Sequence, residues 1–298
     1  MQKVVITGCN GLLGQTLVDL LIKGKEYTVV GISRGENRTD RNDFIYESVD
    51  ITDKSQLQKC IEKHQPDFIV NTAAMTNVDA CEDDKEGCLK LNVTAVEYLI
   101  DLCAENDIHL VHISTDFIFD GKQGYYKETD QANPLSYYGW SKLESENLLT
   151  NSNISYSILR TILVYGKVKN MTRNNIVLWV KEMLENKKEI TIVDDQFRMP
   201  TYVEDLALAC KLSIDKKAKG IFNISSSELF SIFEIAKQIA QVFGLDSSYI
   251  KPISTSTLNQ KAARPPKTGF NLDKTRNQLG LQPKTFKEDL QKFKEILK

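Results

Sequence analysis

The sequence predicts an α/β protein built on a doubly wound parallel sheet. Through the first half, short β-branched apolar runs alternate with segments of helical period. Strands separated by helices pair in parallel through crossovers. The first of these runs, Lys3–Thr7, empties directly into a three-glycine turn that opens a helix. The chain has 298 residues, 41 % of them hydrophobic and 26 % charged, enough to bury the core of one large domain with a smaller one attached.

The elements follow in order. Lys3–Thr7 is a strand ended by Gly8, and Leu12–Ile22 a helix that stops near Gly24. Tyr27–Ile32 and Phe44–Val49 read as strands, Lys54–His64 as an amphipathic helix closed off by Pro66, and Phe68–Val70 as a strand. Gly87–Glu105 reads as one long helix, Leu110–Ser114 as a strand, Tyr138–Thr150 as a helix and Tyr156–Val164 as a strand. After Gly166 the pattern loosens. Ile176–Glu185, Val203–Ser213, Ile232–Phe243 and Lys287–Leu297 have helical spacing, Ile221–Ile224 is strand-like, and Ser254–Gly269, rich in Ser, Thr and Pro, reads as a loop. This divides the chain into a dinucleotide-binding domain over 1–166 and, over 167–298, a mainly substrate-binding α/β lid. Elements around 200–225 are expected to return to the main sheet.

A net charge of −2 provides no basic field, which argues against nucleic acid as a partner and requires any anion site to be built locally. No apolar stretch approaches the roughly 18 residues of a membrane span. Met1–Gly8 reads as a strand running into glycine rather than as a secretory leader. Cys9, Cys60, Cys81, Cys88, Cys103 and Cys210 form no C-x-x-C pair and have no histidines at zinc spacing. They are expected to be reduced packing residues of a cytoplasmic protein, with no metal site. His64, His109 and His112 are expected to be structural.

The turn Gly8-Cys9-Asn10-Gly11-Leu12-Leu13-Gly14 lies between a strand and a helix, as in the Rossmann arrangement. Gly8 allows the tight turn, Gly11 lets the backbone approach a pyrophosphate, and Gly14 lets the helix pack closely, with the helix N-terminus facing the phosphates. The second strand runs out into Ser33-Arg34-Gly35 with no carboxylate before Glu36, so a 2′-phosphate is favoured over a free ribose hydroxyl and NADP over NAD. Asp50 and Ile51, after the third strand, are candidates for the adenine end.

Tyr138-Gly139-Trp140-Ser141-Lys142 places a phenol and an amine at i and i+4 on one helix face. An ammonium near a phenol would lower its pKa and make Tyr138 a usable proton donor. A second Tyr-x-x-x-Lys, Tyr165 to Lys169, closes a strand instead of opening a helix, which favours the first copy. Upstream, Ser114, Thr115 and Asp116 end a buried strand, where hydroxyls would point into a ligand cleft.

These pieces together resemble the extended short-chain dehydrogenase/reductase family, and more closely its dTDP-4-dehydrorhamnose reductase branch. The resemblance rests on Thr7 to Gly14, Asn71-Thr72-Ala73-Ala74, Asn92-Val93-Thr94, Ser114 to Gly121, Asn133-Pro134-Leu135, Tyr138 to Lys142, Arg160-Thr161, Val164-Tyr165-Gly166 and Pro200 to Ala207. It implies that Thr115, Tyr138 and Lys142 are catalytic and that Tyr138 protonates a keto oxygen. It also implies that Lys142 holds the nicotinamide ribose, that Ala73 and Ala74 line the NADP groove, and that Arg160 and Thr161 lie near the nicotinamide. The implied partner is a nucleotide-sugar substrate, with a homodimer as an oligomeric option.

The sequence departs from the branch in two places. Arg198 replaces a usual glycine within Gln196-Phe197-Arg198-Met199-Pro200, and the Arg-Pro position continues as Arg264-Pro265-Pro266-Lys267. Arg264 and Arg198 are the candidates for gripping a substrate diphosphate. The alternative for Arg198 is a structural ion pair with Asp194 or Asp195. Two other functions are compatible with the same fold. One is a nucleotide-sugar epimerase or dehydratase, disfavoured because Phe117 follows Asp116 where dehydratases tend to carry a second carboxylate. The other is a non-catalytic NADP-binding regulatory subunit similar to that of methionine adenosyltransferase, which shares the altered segment before Pro200.

Overall fold

The computed structural model describes residues 1–298. The first half runs β1 (Gln2–Thr7), α1 (Leu12–Gly24), β2 (Tyr27–Ser33), β3 (Ile45–Ser48), α2 (Lys54–His64), β4 (Phe68–Asn71), α3 (Val78–Asp83), α4 (Lys85–Leu89), α5 (Ala95–Asn106), β5 (His109–Thr115), β6 (Gly124–Tyr126), α6 (Tyr137–Thr150) and β7 (Tyr156–Thr161). The second half runs β8 (Val164–Tyr165), α7 (Ile176–Glu185), β9 (Ile190–Val193), β10 (Phe197–Arg198), β11 (Thr201–Tyr202), α8 (Val203–Asp215), β12 (Gly220–Ile224), β13 (Phe230–Ser231), α9 (Ile232–Phe243), β14 (Ile250–Ile253), β15 (Thr268–Phe270) and α10 (Phe286–Ile296).

Seven parallel strands form the main sheet in the order β12-β7-β5-β4-β1-β2-β3. Strand order reverses between β1 and β4, and the carboxyl ends there are where a doubly wound sheet leaves a crevice. Both faces are covered. Along β1, Val4 and Ile6 pack into one apolar cluster with α1, α7, α8, α9 and α10, while Val5 packs into the opposite one with α2 and α5. Near-continuous apolar strands are the signature of a parallel sheet buried on both sides. The helices of the second half thus share a continuous core with the sheet. No helix is long and apolar enough to cross a membrane.

Several elements differ from the sequence reading. The expected long helix over 87–105 is interrupted by a wider π turn at Lys90–Thr94 between α4 and α5. The turn aims the buried Asn92 inward, where it accepts from the Met75 N–H (2.8 Å) and donates to the Met75 carbonyl (3.1 Å) and to Ser141 Oγ (3.0 Å). The expected strand 156–164 breaks after Thr161, because Leu163 takes the left-handed conformation (φ 44°) and redirects Val164–Tyr165 to pair with β11. Part of the expected loop 254–269 is strand β15, paired with β6. All six cysteines are buried and unpaired.

Candidate active site and cofactor groove

The groove starts where the strand order reverses. Thr7 Oγ1 donates to Asn71 Oδ1 (2.5 Å) and accepts from the Ala73 N–H (3.3 Å), so the ends of β1 and β4 are tied together. Gly8 lies at φ 64°, and a Cβ there would sit 2.9 Å from the Ala73 nitrogen; one on Gly14 would sit 2.4 Å from the Gly8 carbonyl oxygen. Only glycine permits both approaches. The exposed Gly11 is the N-cap of α1 and supplies no side-chain cap, which leaves the first N–H groups of the helix for an anion. Asn10 donates to the Glu36 carbonyl (2.9 Å) and to Tyr46 Oη (3.2 Å) and accepts from the Arg38 N–H (2.9 Å), bracing the turn against the loop after β2. Leu12 is half-buried and Leu13 enters the core.

At the rim of the groove, Ser33 is half-buried and Arg34 exposed. Burial raises the Asp50 carboxyl, but hydrogen bonds from Thr52 and the charges of Arg34 and Lys90 outweigh it and hold it below the usual range. Ile51 is a core residue under α2, and Ala73 and Ala74 are half-buried along the groove.

The structure brings the Thr115 hydroxyl and the Tyr138 phenol into a hydrogen bond at the end of β5, with Lys142 one turn further along the same helix. α6 starts at the N-cap Ser136, whose hydroxyl accepts from the Gly139 N–H (3.2 Å). A Cβ on Gly139 would lie 2.2 Å from the Phe117 carbonyl oxygen, so this glycine is what lets α6 close on the chain just after Thr115. The second Tyr-x-x-x-Lys lies elsewhere. Tyr165 is fully buried among Tyr202, Phe286 and Phe293, with ring centroids 5.5–5.8 Å away.

The electrostatics correct one expectation. Tyr138 is not lowered: burial pushes its phenol well above the usual range, and the hydrogen bond with Thr115 only partly opposes this. Lys142 is itself buried. Burial brings it down to about 8 against the pull of Glu146 and Cys88, and its Nζ lies 2.9 Å from His112 Nε2. A phenol held protonated suits the donation of a proton.

Ser114 does not open to a cleft. Its hydroxyl donates to Glu146 (2.5 Å), which is held by Arg160 through Nη2 (2.7 Å) and Nε (3.1 Å). Arg160 therefore sits in the core rather than on a free ligand surface, and Thr161 Oγ1 meets Thr201 Oγ1 (3.0 Å). Asp116 likewise turns inward, bonded by the Thr268 hydroxyl and facing Arg198 (3.6 Å). Burial raises its carboxyl despite Arg198. This corrects the Arg198 alternative: the partner is Asp116, whereas Asp195 binds Ser254 and Thr255. Arg198 also donates to the Pro265 carbonyl (2.7 Å). Arg264 makes a two-pronged pair with Asp79 of α3 (2.7 and 3.2 Å) and adds its charge to the field at Arg198.

The model of the RmlD substrate binding domain matches residues 1–298. The chain belongs to this family. It is 30% identical to a dTDP-4-dehydrorhamnose reductase of Aggregatibacter actinomycetemcomitans, with 99% of each chain covered. It is 31% identical to methionine adenosyltransferase 2 subunit beta of Bos taurus, over 86% of this chain and 76% of that one. The crystal structure of dTDP-4-dehydrorhamnose reductase from Bacillus anthracis in complex with NADP superposes with a TM-score of 0.89 at 30% identity, covering 99% of this chain and 100% of that chain.

Sequence reasoning treated His112 as structural and did not weigh Glu146 at all. Both had a signal. Tyr138, Lys142 and Glu146 recur every four residues, one stripe of α6, and His112 and Ser114 share one face of β5. Polar stripes on otherwise buried elements mark a network that must satisfy itself.

Proposed function

We propose that this chain is an NADPH-dependent reductase of a nucleotide-linked 4-keto-6-deoxy sugar, converting dTDP-4-dehydro-L-rhamnose to dTDP-L-rhamnose. The observation that carries the reading is the convergence of Thr115, Tyr138 and Lys142 beside a glycine turn built for a dinucleotide. The residues fit NADP. Gly8 and Gly14 let β1, β4 and the start of α1 close into the tight turn, α1 offers uncapped N–H groups, and the exposed Arg34 is the cation available for a 2′-phosphate. NADPH bound there would supply the hydride that the carbonyl carbon takes up.

The protein's own residues supply the rest. The Thr115 hydroxyl orients the keto oxygen, and the protonated Tyr138 phenol delivers a proton to it as the alkoxide forms. Lys142, four residues on along α6, would hold the ribose. Arg264, shared with Asp79 and partly exposed, is the cation that supports a diphosphate site, whereas Arg198, buried against Asp116, is held in the interior. On this reading the protein works in the cytoplasm on a soluble nucleotide sugar, without nucleic acid or membrane, as a monomer or homodimer.

A regulatory role like that of a methionine adenosyltransferase subunit is favoured only by the overall similarity to that subunit and by the Arg198 segment; the complete triad argues against it. The test is consumption of NADPH by the purified protein with a panel of keto sugars. Turnover confined to nucleotide-linked 4-keto sugars is expected. Tight NADPH binding with no turnover on any of them would overturn the reductase reading.

A further inference from the structure

At the far edge of the main sheet from the triad, three side chains of metal-ligating type meet. β3 is the outermost strand, and its Glu47 reaches the last turns of α2. Cys60 and His64 are one helical turn apart there and share a face. The Cys60 sulfur, one ring nitrogen of His64 and a Glu47 carboxylate oxygen all lie within 4.8 Å of one another. Cys60 is 3% exposed and the His64 side chain 8%, against 21% for the Glu47 side chain. The two helix groups are therefore fixed in the interior, and the carboxylate stands at the mouth.

His64 Nε2 donates to Glu47 Oε1 (2.7 Å), and Lys63 pairs with the same oxygen. That ion pair accounts for the lysine and the histidine. It does not account for the buried thiol turned toward the same carboxylate, which burial and Glu47 push up to about 11. A thiol facing an anion in the interior is a place where a cation replacing the proton is held from both sides. Thiolate, imidazole and carboxylate together suit zinc, whereas calcium and magnesium take oxygen ligands. We propose that Glu47, Cys60 and His64 form a binding site for one zinc-class divalent ion, with water as the fourth ligand, that staples the edge strand β3 to α2.

The geometry needs little movement. Tetrahedral zinc with bonds of about 2.0–2.3 Å sets its ligand atoms about 3.3–3.7 Å apart, so the His64–Glu47 contact opens by roughly half an ångström and the other separations close by about 1 Å. On binding, the Cys60 S–H bond breaks, its proton passes to water, and a sulfur–metal bond forms. The His64 proton moves to Nδ1 and frees the Nε2 lone pair. Lys63, whose side chain is 64% exposed, swings into solvent, and the thiolate and carboxylate balance the two charges of the ion. The sequence reading expected no metal because it looked for paired cysteines. Here the third ligand comes from another element, 17 positions before His64. The site shares no residue with Thr115, Tyr138 and Lys142, and it goes beyond the reductase reading without depending on it.

The test needs no catalysis. The full chain, kept reduced with a phosphine, is titrated with Co²⁺ as a spectroscopic stand-in and then with Zn²⁺. One equivalent of cobalt should give a thiolate charge-transfer band in the near ultraviolet and the strong visible bands of a four-coordinate ion, and zinc should bleach both. Cys60→Ser should abolish the charge-transfer band, while Cys103→Ala, at a buried cysteine elsewhere, should keep it. His64→Gln and Glu47→Gln should each weaken zinc by more than the roughly 10–100-fold that loss of an outer-shell partner costs. Glu47→Gln changes a half-buried side chain, so it tests the site even if a core variant fails to fold. Lys63→Ala removes the competing cation and should tighten zinc by up to about fivefold, the worth of an exposed ion pair. No thiolate band in the parent, a band that survives Cys60→Ser, or zinc affinity unchanged in both His64→Gln and Glu47→Gln would overturn the proposal.

Discussion

Replacing Arg160 by Met is the sharpest test of the buried network under the site. Arg160 and Glu146 have side chains only 5% and 3% exposed, and they meet at 2.7 Å. Nε adds two contacts to the same carboxylate (3.1 and 3.2 Å), Nη1 donates to the Glu128 carbonyl (3.1 Å), and Ser114 donates to Glu146. Methionine keeps most of the volume and removes every donor, leaving Glu146 with one hydroxyl and no cation. Stranding a buried partner in this way costs about 3–5 kcal/mol. At about 2.1 cal/mol/K per residue, a protein of this length has an unfolding entropy of about 0.6 kcal/mol/K, so Tm should fall by about 5–8 °C. The assay is thermal unfolding with Glu146→Leu and the double variant completing a mutant cycle. The double variant should recover most of the loss, because an apolar pair carries no desolvated charge. A Tm within about 1 °C of the parent for Arg160→Met, or a double variant less stable than both singles, would refute the account.

Three further outcomes are expected. Tyr138→Phe should keep NADPH binding but lose about 10²–10⁴ in the rate of keto-sugar reduction, whereas Tyr165→Phe, which removes a buried hydroxyl without a hydrogen-bond partner, should leave the rate intact; kinetics of the two variants that rank the other way would reject Tyr138 as the donor. NADPH should bind more tightly than NADH, and Arg34→Ala should shrink that preference by about tenfold, a modest factor because the guanidinium is exposed; titration of both cofactors checks it. Asp289 of α10 is buried with an Oδ1 that lacks a hydrogen-bond partner and has Lys284 Nζ 3.9 Å away, and burial and Asp205 raise its carboxyl against Lys284 and Lys292. The folded state therefore binds its proton more firmly than the unfolded chain, so this contribution is full below the ordinary carboxylate range and is lost as pH rises toward neutrality. Asp289→Asn should flatten that decline, read as the difference in urea midpoint between about pH 5 and about pH 8; an unchanged slope would remove Asp289 as its source.

Much of the fold was legible because it is written locally. α2, α7 and α9 begin and end where the periodicity puts them, since apolar spacing, an Asx or Ser cap and a chain-breaking follower are all sequence-local signals. The strands β9 and β14 were not legible. Each is four residues long and stable only against the other, 60 residues apart along the chain. The π turn was hidden for a similar reason: helical spacing continues through 85–106, and only the partners of Asn92, Met75 and Ser141, reveal that one turn is wider.

By itself the sequence determined the doubly wound class, the glycine turn and the Tyr138/Lys142 face, because backbone freedom at glycine and the four-residue helical repeat are properties of neighbours in the chain. The tertiary structure decided which way the polar groups of the site point and what charge they prefer. Ser114, Asp116, Arg160 and Arg198 read as cleft residues and instead close on one another in the interior. Tyr138 moves up where a nearby ammonium was expected to bring it down, because its own burial outweighs the hydrogen bond with Thr115. Burial and hydrogen-bond direction depend on groups that β5, α6 and β7 bring together from 14 to 32 positions apart, and no local pattern carries that information.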